Sequence, residues 1–222
     1  KDVIQISFLD WRVLAMKPTD FATHLTGFLS VYLPQQKNAS NNTIASYRDS
    51  FKLLIRYCLE QKDIPVEKLN MGMLTHVIIA DFLQWLEEER NCCIATRNQR
   101  LAAIHSFFRY AQYEEPAGIL HFQKVIALPV KKASKPSVPH LIPEAMKLLL
   151  SQPDKITVKG RRDLTLLSVL YDSGCRVQEL ADLKVRDVVL DNPAVLILTG
   201  KGNKVRRVPL MKNTLTLLRH YL

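Results

Sequence analysis

Arg176 follows Asp172-Ser173-Gly174-Cys175 at the start of a helical pattern, and 25 positions later Lys201 stands between Gly200 and Gly202. Those two cations suit a phosphodiester. Attack on such a linkage loads negative charge onto its non-bridging oxygens, and an always-charged guanidinium can meet two of them with parallel hydrogen bonds. The leaving alkoxide needs a proton, which an ammonium among other cations can release because their charge lowers its pKa. Gly200 and Gly202 let a hairpin backbone approach nucleic acid without a Cβ in the way. Arg206 and Arg207 alternate across a strand, so at most one shares the phosphate side with Lys201. Each feature alone has a plainer reading. Gly200-Lys201-Gly202-Asn203-Lys204 is equally an ordinary hairpin turn, and Arg176 with Glu179 is equally an i, i+3 helix pair. Glu179 is expected to position the arginine in either case. The joint occurrence of these features favours function.

The elements that must hold these groups are legible on both sides. Phe21, Leu25, Phe28, Leu29 and Tyr32 recur at helical spacing over Asp20 to Leu33. A second helix, capped by Asn41 or Asn42, carries the stripe Ile44, Tyr47, Phe51, Leu54, Ile55, Cys58 and Leu59, with Arg48, Lys52 and Arg56 as an i, i+4 row on another face. A third runs from about Leu74 to Arg90 with Val77, Ile78, Phe82, Trp85 and Leu86 inward. A fourth runs from Ile94 to Tyr113, burying Leu101, Ile104, Phe107, Phe108 and Ala111 and placing Arg97, Arg100 and His105 elsewhere. Four helices with short connections imply a bundle. Pro129, Pro136, Pro139 and Pro143, with Lys131, Lys132 and Lys135 between them, then read as an extended basic linker.

Beyond the linker, helices are expected over Pro143 to Leu150, Arg162 to Tyr171 and Arg176 to Leu183, with Tyr171 packed in the core. The runs Val185 to Leu190, Ala194 to Leu198 and Val205 to Leu210 are split by turn sequences and give a three-stranded meander, and Asn213 to Leu222 is again helical. The expected fold is mainly α with a small antiparallel β-meander: an N-terminal segment 1–19, a helical domain 20–127, a linker 128–140 and an α+β part 141–222.

Charge sharpens the assignment. Residues 1–130 carry 14 Lys and Arg against 13 Asp and Glu, whereas residues 131–222 carry 17 against 8. A basic patch concentrated in one part is the footprint of a polyanion, nucleic acid being the commonest. No apolar run approaches the roughly 18 residues of a membrane helix, and neither a signal-peptide pattern nor a lipid-anchor pattern is read in these residues, so a membrane partner is not expected and a cytoplasmic address is. Cys58, Cys92, Cys93 and Cys175 show no zinc spacing and read as reduced thiols. No metal or cofactor is expected. The start at Lys1 predicts a fragment at that end.

The segment Leu170-Tyr171-Asp172-Ser173-Gly174-Cys175-Arg176-Val177-Gln178-Glu179-Leu180 with Thr199-Gly200-Lys201-Gly202-Asn203-Lys204-Val205-Arg206-Arg207-Val208-Pro209-Leu210 resembles the tyrosine recombinases, the phage integrase family. Residues 20–113 look like its SAM-like core-binding domain, notably Ser40-Asn41-Asn42-Thr43-Ile44-Ala45-Ser46-Tyr47-Arg48 and Ala95-Thr96-Arg97-Asn98-Gln99-Arg100. Residues 141–222 look like the first half of the catalytic domain, closest to integrases and transposases of bacterial mobile elements. The resemblance implies that Arg176 is the first catalytic arginine and that Lys201 protonates the leaving 5′ oxygen. It also implies a tyrosine nucleophile forming a 3′-phosphotyrosine without metal or ATP, and a homotetramer on double-stranded DNA.

The family's His-x-x-Arg and nucleophile belong well after Lys201. His220 is the only histidine beyond that lysine and Tyr221 lacks the motif, so these residues are expected to bind DNA without cleaving it, as a truncated recombinase. The basic row Arg48, Lys52 and Arg56 and the pair Arg97 and Arg100 are candidate phosphate contacts, and Asn42, Thr43 and Asn98 candidate base or phosphate ligands. Tyr47, Lys204, Arg206 and Arg207 complete the DNA-facing set. The competing readings are a DNA-binding regulator without chemistry and a helical protein-interaction module.

Overall fold

In the computed structural model, which describes residues 17–134, 140–200 and 202–222, the chain divides into two units, Lys1–Lys135 and Pro136–Leu222. In the first unit, hydroxyl caps set three helix starts. Thr19, Ser40 and Thr75 accept the N–H groups of Ala22, Thr43 and Ile78, which would otherwise lack partners, and so open α1 (Asp20–Gly27), α2 (Asn41–Lys62) and α3 (His76–Glu88). The cap of α2 is therefore Ser40, one residue ahead of the asparagines expected there. α1 runs on into a π-helical stretch, Phe28–Gln36, that takes in Pro34. α4 (Ile94–Glu114) is followed by a short 3₁₀ turn, Pro116–Gly118, and by α5 (Ile119–Ile126), a helix not anticipated from sequence.

An aromatic cluster holds the unit. Phe107 meets Phe21, Phe28, Phe51 and Phe108 with ring centroids 5.1 to 5.8 Å apart at steep angles, the edge-to-face arrangement that the ring quadrupole favours. Phe122 of α5 extends the cluster through Phe108. Leu101, Ile104, Phe107, Phe108 and Ala111 are buried as expected. Leu59 and Val77, expected inward, are exposed, while Ile79 and Leu83 are fully buried. The apolar run Val77-Ile78-Ile79 opens α3 without a clear phase; Phe82 and Leu86 set it, and their face includes Ile79 and Leu83 rather than Val77. His105 and Arg97 are buried as well, against expectation.

The second unit contains α6 (Pro143–Ser151), α7 (Val158–Ser173), α8 (Val177–Ala181), a 3₁₀ turn at Val185–Asp187, strands β1 (Val188–Val189), β2 (Val195–Gly200) and β3 (Lys204–Pro209), and α9 (Lys212–Tyr221). The strands form the expected antiparallel meander β1-β2-β3, though β1 is only two residues long. Leu196 and Leu198 of β2 point into a small core with Val169, Cys175 and Leu218. Asp172 of α7 accepts the Met211 N–H at 2.7 Å and ties the entry of α9 to α7. Tyr171, expected in this core, is exposed. Its neighbour Asp172 is the residue turned toward the packed side.

Candidate phosphate site and nucleic-acid interface

Gly174 ends α7 with φ at +57°, a conformation glycine adopts without a Cβ clash, and its N–H donates to Leu170 O at 3.0 Å. The reversal puts Arg176 at the cap of α8. The Arg176 N–H donates to Glu179 Oε2 at 2.9 Å, and Arg176 Nη1 donates to Glu179 Oε1 at 2.8 Å. The same carboxylate accepts Arg206 Nη2 on Oε2 at 2.7 Å and Arg206 Nη1 on Oε1 at 3.1 Å. Glu179 is thus a buried anion clamped between two guanidiniums, one on a helix tip and one on β3. Those bonds, Arg206's first and then Arg176's, pull the Glu179 carboxyl down to about 2, and Glu179 in turn raises the Arg206 pKa.

Arg176 keeps 73% of its side chain open to solvent. One Nη1 bond leaves most of its five N–H donors available, which is the state an arginine needs to receive two phosphate oxygens. β3 pairs Arg206 with Leu198 and Arg207 with Ile197. Arg206 therefore shares the pleat side of the core leucine and reaches Glu179, whereas Arg207 lies on the other side and is exposed. Lys201 lies outside the described residues. Gly200, the residue before it, sits against the bridge: a Cβ there would come 2.9 Å from Glu179 Oε1 and 3.4 Å from Arg206 Nη1. Gly202 has φ at +75° and faces open space, so the two glycines serve different needs, close packing and chain reversal.

In the helical unit the first turns of α2 and α4 enclose a polar groove of about 330 Å³ lined by Asn42, Ser46, Asp49, Thr96, Gln99 and Arg100, among others. The Arg100 Nε is buried without a hydrogen-bond partner, and Gln99 Nε2 donates to Ser46 Oγ at 2.9 Å across the two helices. Two of the sequence candidates, Asn42 and Arg100, meet here. Ser46, Thr96 and Gln99 were missed, although Ser46 lies four residues from Asn42, Thr96 four from Arg100, and Gln99 three from Thr96, spacings that put neighbours on one helix face. Arg48 and Lys52 are exposed farther along α2, and Lys52 lies 3.9 Å from Asp49. Thr43 is engaged by its own cap, with Ser40 Oγ 3.0 Å away. Tyr47 stacks on Phe28 at 6.1 Å.

Arg97 and Asn98, expected among the DNA contacts, are occupied within the chain. Arg97 is only 6% exposed; its Nη1 donates to Pro129 O and Asn98 Oδ1, each at 3.1 Å. Burial works against its charge and the nearby Glu87 offsets that. The apolar neighbours Leu101 and Ile104 draw that side of the helix inward, so Arg97 is covered by the returning chain.

The chain matches the phage integrase family over residues 140–222 and the phage integrase N-terminal SAM-like domain over residues 25–115. It belongs to the phage integrase family of tyrosine recombinases. A putative integrase/recombinase, y4rC, of Sinorhizobium fredii is 37% identical over 206 residues, covering 93% of this chain and 62% of that protein. The tyrosine recombinase XerC of Myxococcus xanthus is 31% identical over 197 residues, covering 86% and 60%. The chain therefore spans about three fifths of the length of these relatives. Among solved structures, the Tn1549 transposon integrase in complex with transposon right end DNA matches with a TM-score of 0.64 at 16% identity, covering 88% of this chain and 64% of that one. The XerH recombinase bound to its palindromic difH substrate matches with 0.61 at 22%, covering 83% and 53%. These likenesses establish the tyrosine recombinase fold. No helix among the described residues is long and apolar enough to cross a membrane, and no group of three or more metal-ligating side chains occurs among them.

Proposed function

We propose that these 222 residues are the DNA-gripping part and part of the catalytic set of a site-specific tyrosine recombinase. The observation that carries this is the double arginine bridge on Glu179, which leaves Arg176 preoriented and open to solvent. Arg176 meets the non-bridging oxygens of the scissile phosphate, where charge develops, and an arginine already held costs no reorganisation at that moment. Lys201 supplies the proton to the leaving 5′ oxygen. Glu179 and Arg206 hold these two parts of the chain in register. Exposed Lys204 and Arg207 add phosphate contacts, and in the helical unit the surface around Asn42 and Arg100, with Arg48 and Lys52 beside it, contacts the backbone of duplex DNA.

The whole protein carries out strand exchange through a 3′-phosphotyrosine, as a homotetramer on two DNA sites and in the service of a mobile element. The 222 residues contain no His-x-x-Arg sequence, so they bind DNA and do not cleave it. A nicked suicide substrate tests this together with a salt titration. Binding should weaken with salt, the logarithmic slope growing by about 0.9 for each phosphate neutralised, and no covalent adduct should form. Salt-insensitive binding, or an adduct with these residues alone, would overturn the reading. In the full-length protein, Arg176→Ala and Lys201→Ala should abolish strand exchange while duplex binding persists.

A further inference from the structure

The first turn of α4 presents two faces. Thr96, Gln99 and Arg100 line the polar groove, while Arg97 and Asn98 face the other way, toward the chain that leaves the unit after α5. Asn98 Nδ2 donates to Lys131 O at 2.7 Å, and the Lys131 N–H donates back to Asn98 Oδ1 at 3.2 Å. The side-chain amide thus pairs with one residue's backbone as a neighbouring strand would. Lys131 Nζ donates to both oxygens of Glu87, at 2.8 and 3.0 Å, and Glu87 Oε1 lies 3.5 Å from Arg97 Nε. Arg97 holds Pro129 O, and the Leu128 N–H donates to Val125 O at 3.2 Å. Arg97 Nη1, the Asn98 amide and Lys131 Nζ are thus each engaged with the chain itself, and Arg97 Nε, which makes no hydrogen bond, is buried.

We infer that Glu87, Arg97 and Asn98 form a clasp that makes residues 128–131 part of the helical unit. They are positioning residues that fix where, and in which direction, the tether to the second unit departs. Residues 128–131 therefore belong to the helical unit rather than to the linker read from sequence. The clasp's significance for closing on DNA rests on the function proposed above, because a shorter tether with a fixed origin raises the effective concentration of the second unit at a duplex gripped by the first. The existence of the clasp does not depend on that function.

The test uses the 222-residue protein and the variants Asn98→Ala, Arg97→Gln and Arg100→Gln. Hydrogen exchange of the Lys131 amide should quicken at least about tenfold in Asn98→Ala, and trypsin should cut after Lys131 or Lys132 faster by a similar factor. The salt slope of duplex binding should be unchanged in Asn98→Ala and in Arg97→Gln, and should fall by about one in Arg100→Gln. Unchanged Lys131 exchange in Asn98→Ala would overturn the clasp. So would a slope lowered by about one in Arg97→Gln, since it would make Arg97 a phosphate ligand. Asn98 is half-exposed and alanine favours helix, so that variant should fold even if Arg97→Gln does not. Absence of duplex binding by every protein, with quickened exchange in Asn98→Ala, would support the clasp and refute the DNA reading alone.

Discussion

Gly200→Ala separates a packing requirement from a turn requirement in the hairpin that carries Lys201. The added Cβ would lie 2.9 Å from Glu179 Oε1, against an ordinary contact of 3.4 Å or more. The difference, about 0.5 Å, must be taken up by a carboxylate that already accepts four hydrogen bonds. Taken up along the Arg206 Nη1 bond, it stretches 3.1 Å to about 3.6 Å, beyond hydrogen-bonding range. We expect Gly200→Ala to lower the unfolding free energy by about 1 to 3 kcal/mol, the usual range for overpacking. Gly202→Ala has open space but a φ of +75° and should cost about 1 to 2 kcal/mol from backbone conformation alone. Because the totals overlap, the decisive measurement is a double-mutant cycle with Glu179→Asp, by urea unfolding followed by circular dichroism. The shorter side chain withdraws from Gly200, so the Gly200 and Glu179 changes should couple by at least about 0.5 kcal/mol, while Gly202 and Glu179 changes add. Additivity of Gly200→Ala with Glu179→Asp would refute the wedge.

Further outcomes follow from three buried groups, His105, Glu179 and Phe107. Burial lowers the His105 pKa from its ordinary 6.5, and the charge of Arg109 lowers it further. The fold therefore favours the neutral imidazole, and its contribution is complete above pH 6.5 and lost as pH falls below that value, where the unfolded chain takes up the proton first. His105→Gln should flatten the pH dependence of urea unfolding just below the ordinary 6.5; an unaltered slope would show that His105 is not its source. The Glu179 contribution has a separate window, lost as pH falls from the ordinary 4.5 through about 2. Phe107→Ala removes the ring shared by four aromatic neighbours and should cost about 3 to 5 kcal/mol in urea unfolding. A loss under about 1.5 kcal/mol would mean that the cluster is not the centre of the helical core.

Sequence periodicity was informative where one face of an element had to be apolar. The interior of α4 stood out because Leu101, Ile104, Phe107, Phe108 and Ala111 repeat at three and four residues, and the meander stood out because turn sequences separate its strands. It was uninformative where apolar residues ran together. Val77-Ile78-Ile79 gave α3 no phase, and Val195 to Leu198 did not say which side of β2 faced inward. That second ambiguity hid the partnership of Arg206 and Glu179, since only the register Leu198 opposite Arg206 puts the guanidinium over the core side. Ser40 was passed over as a cap because three consecutive cap-forming residues, Ser40, Asn41 and Asn42, offer three starts, and tertiary packing decides among them.

The misplacement of Arg97 has a different cause. Basic residues on a helix of a DNA-binding protein are read as facing DNA, yet a guanidinium can also be buried when carbonyl oxygens and a carboxylate converge on it. Here those partners come from Pro129 and Glu87, 32 and 10 positions away, and no local pattern encodes such a meeting. Local pattern does separate the two roles once helical geometry is applied: 96, 99 and 100 fall on one face, 97 and 98 on the next. A motif such as Ala95-Thr96-Arg97-Asn98-Gln99-Arg100 therefore carries two constraints in one turn, a face that lines the polar groove and a face that receives the departing chain.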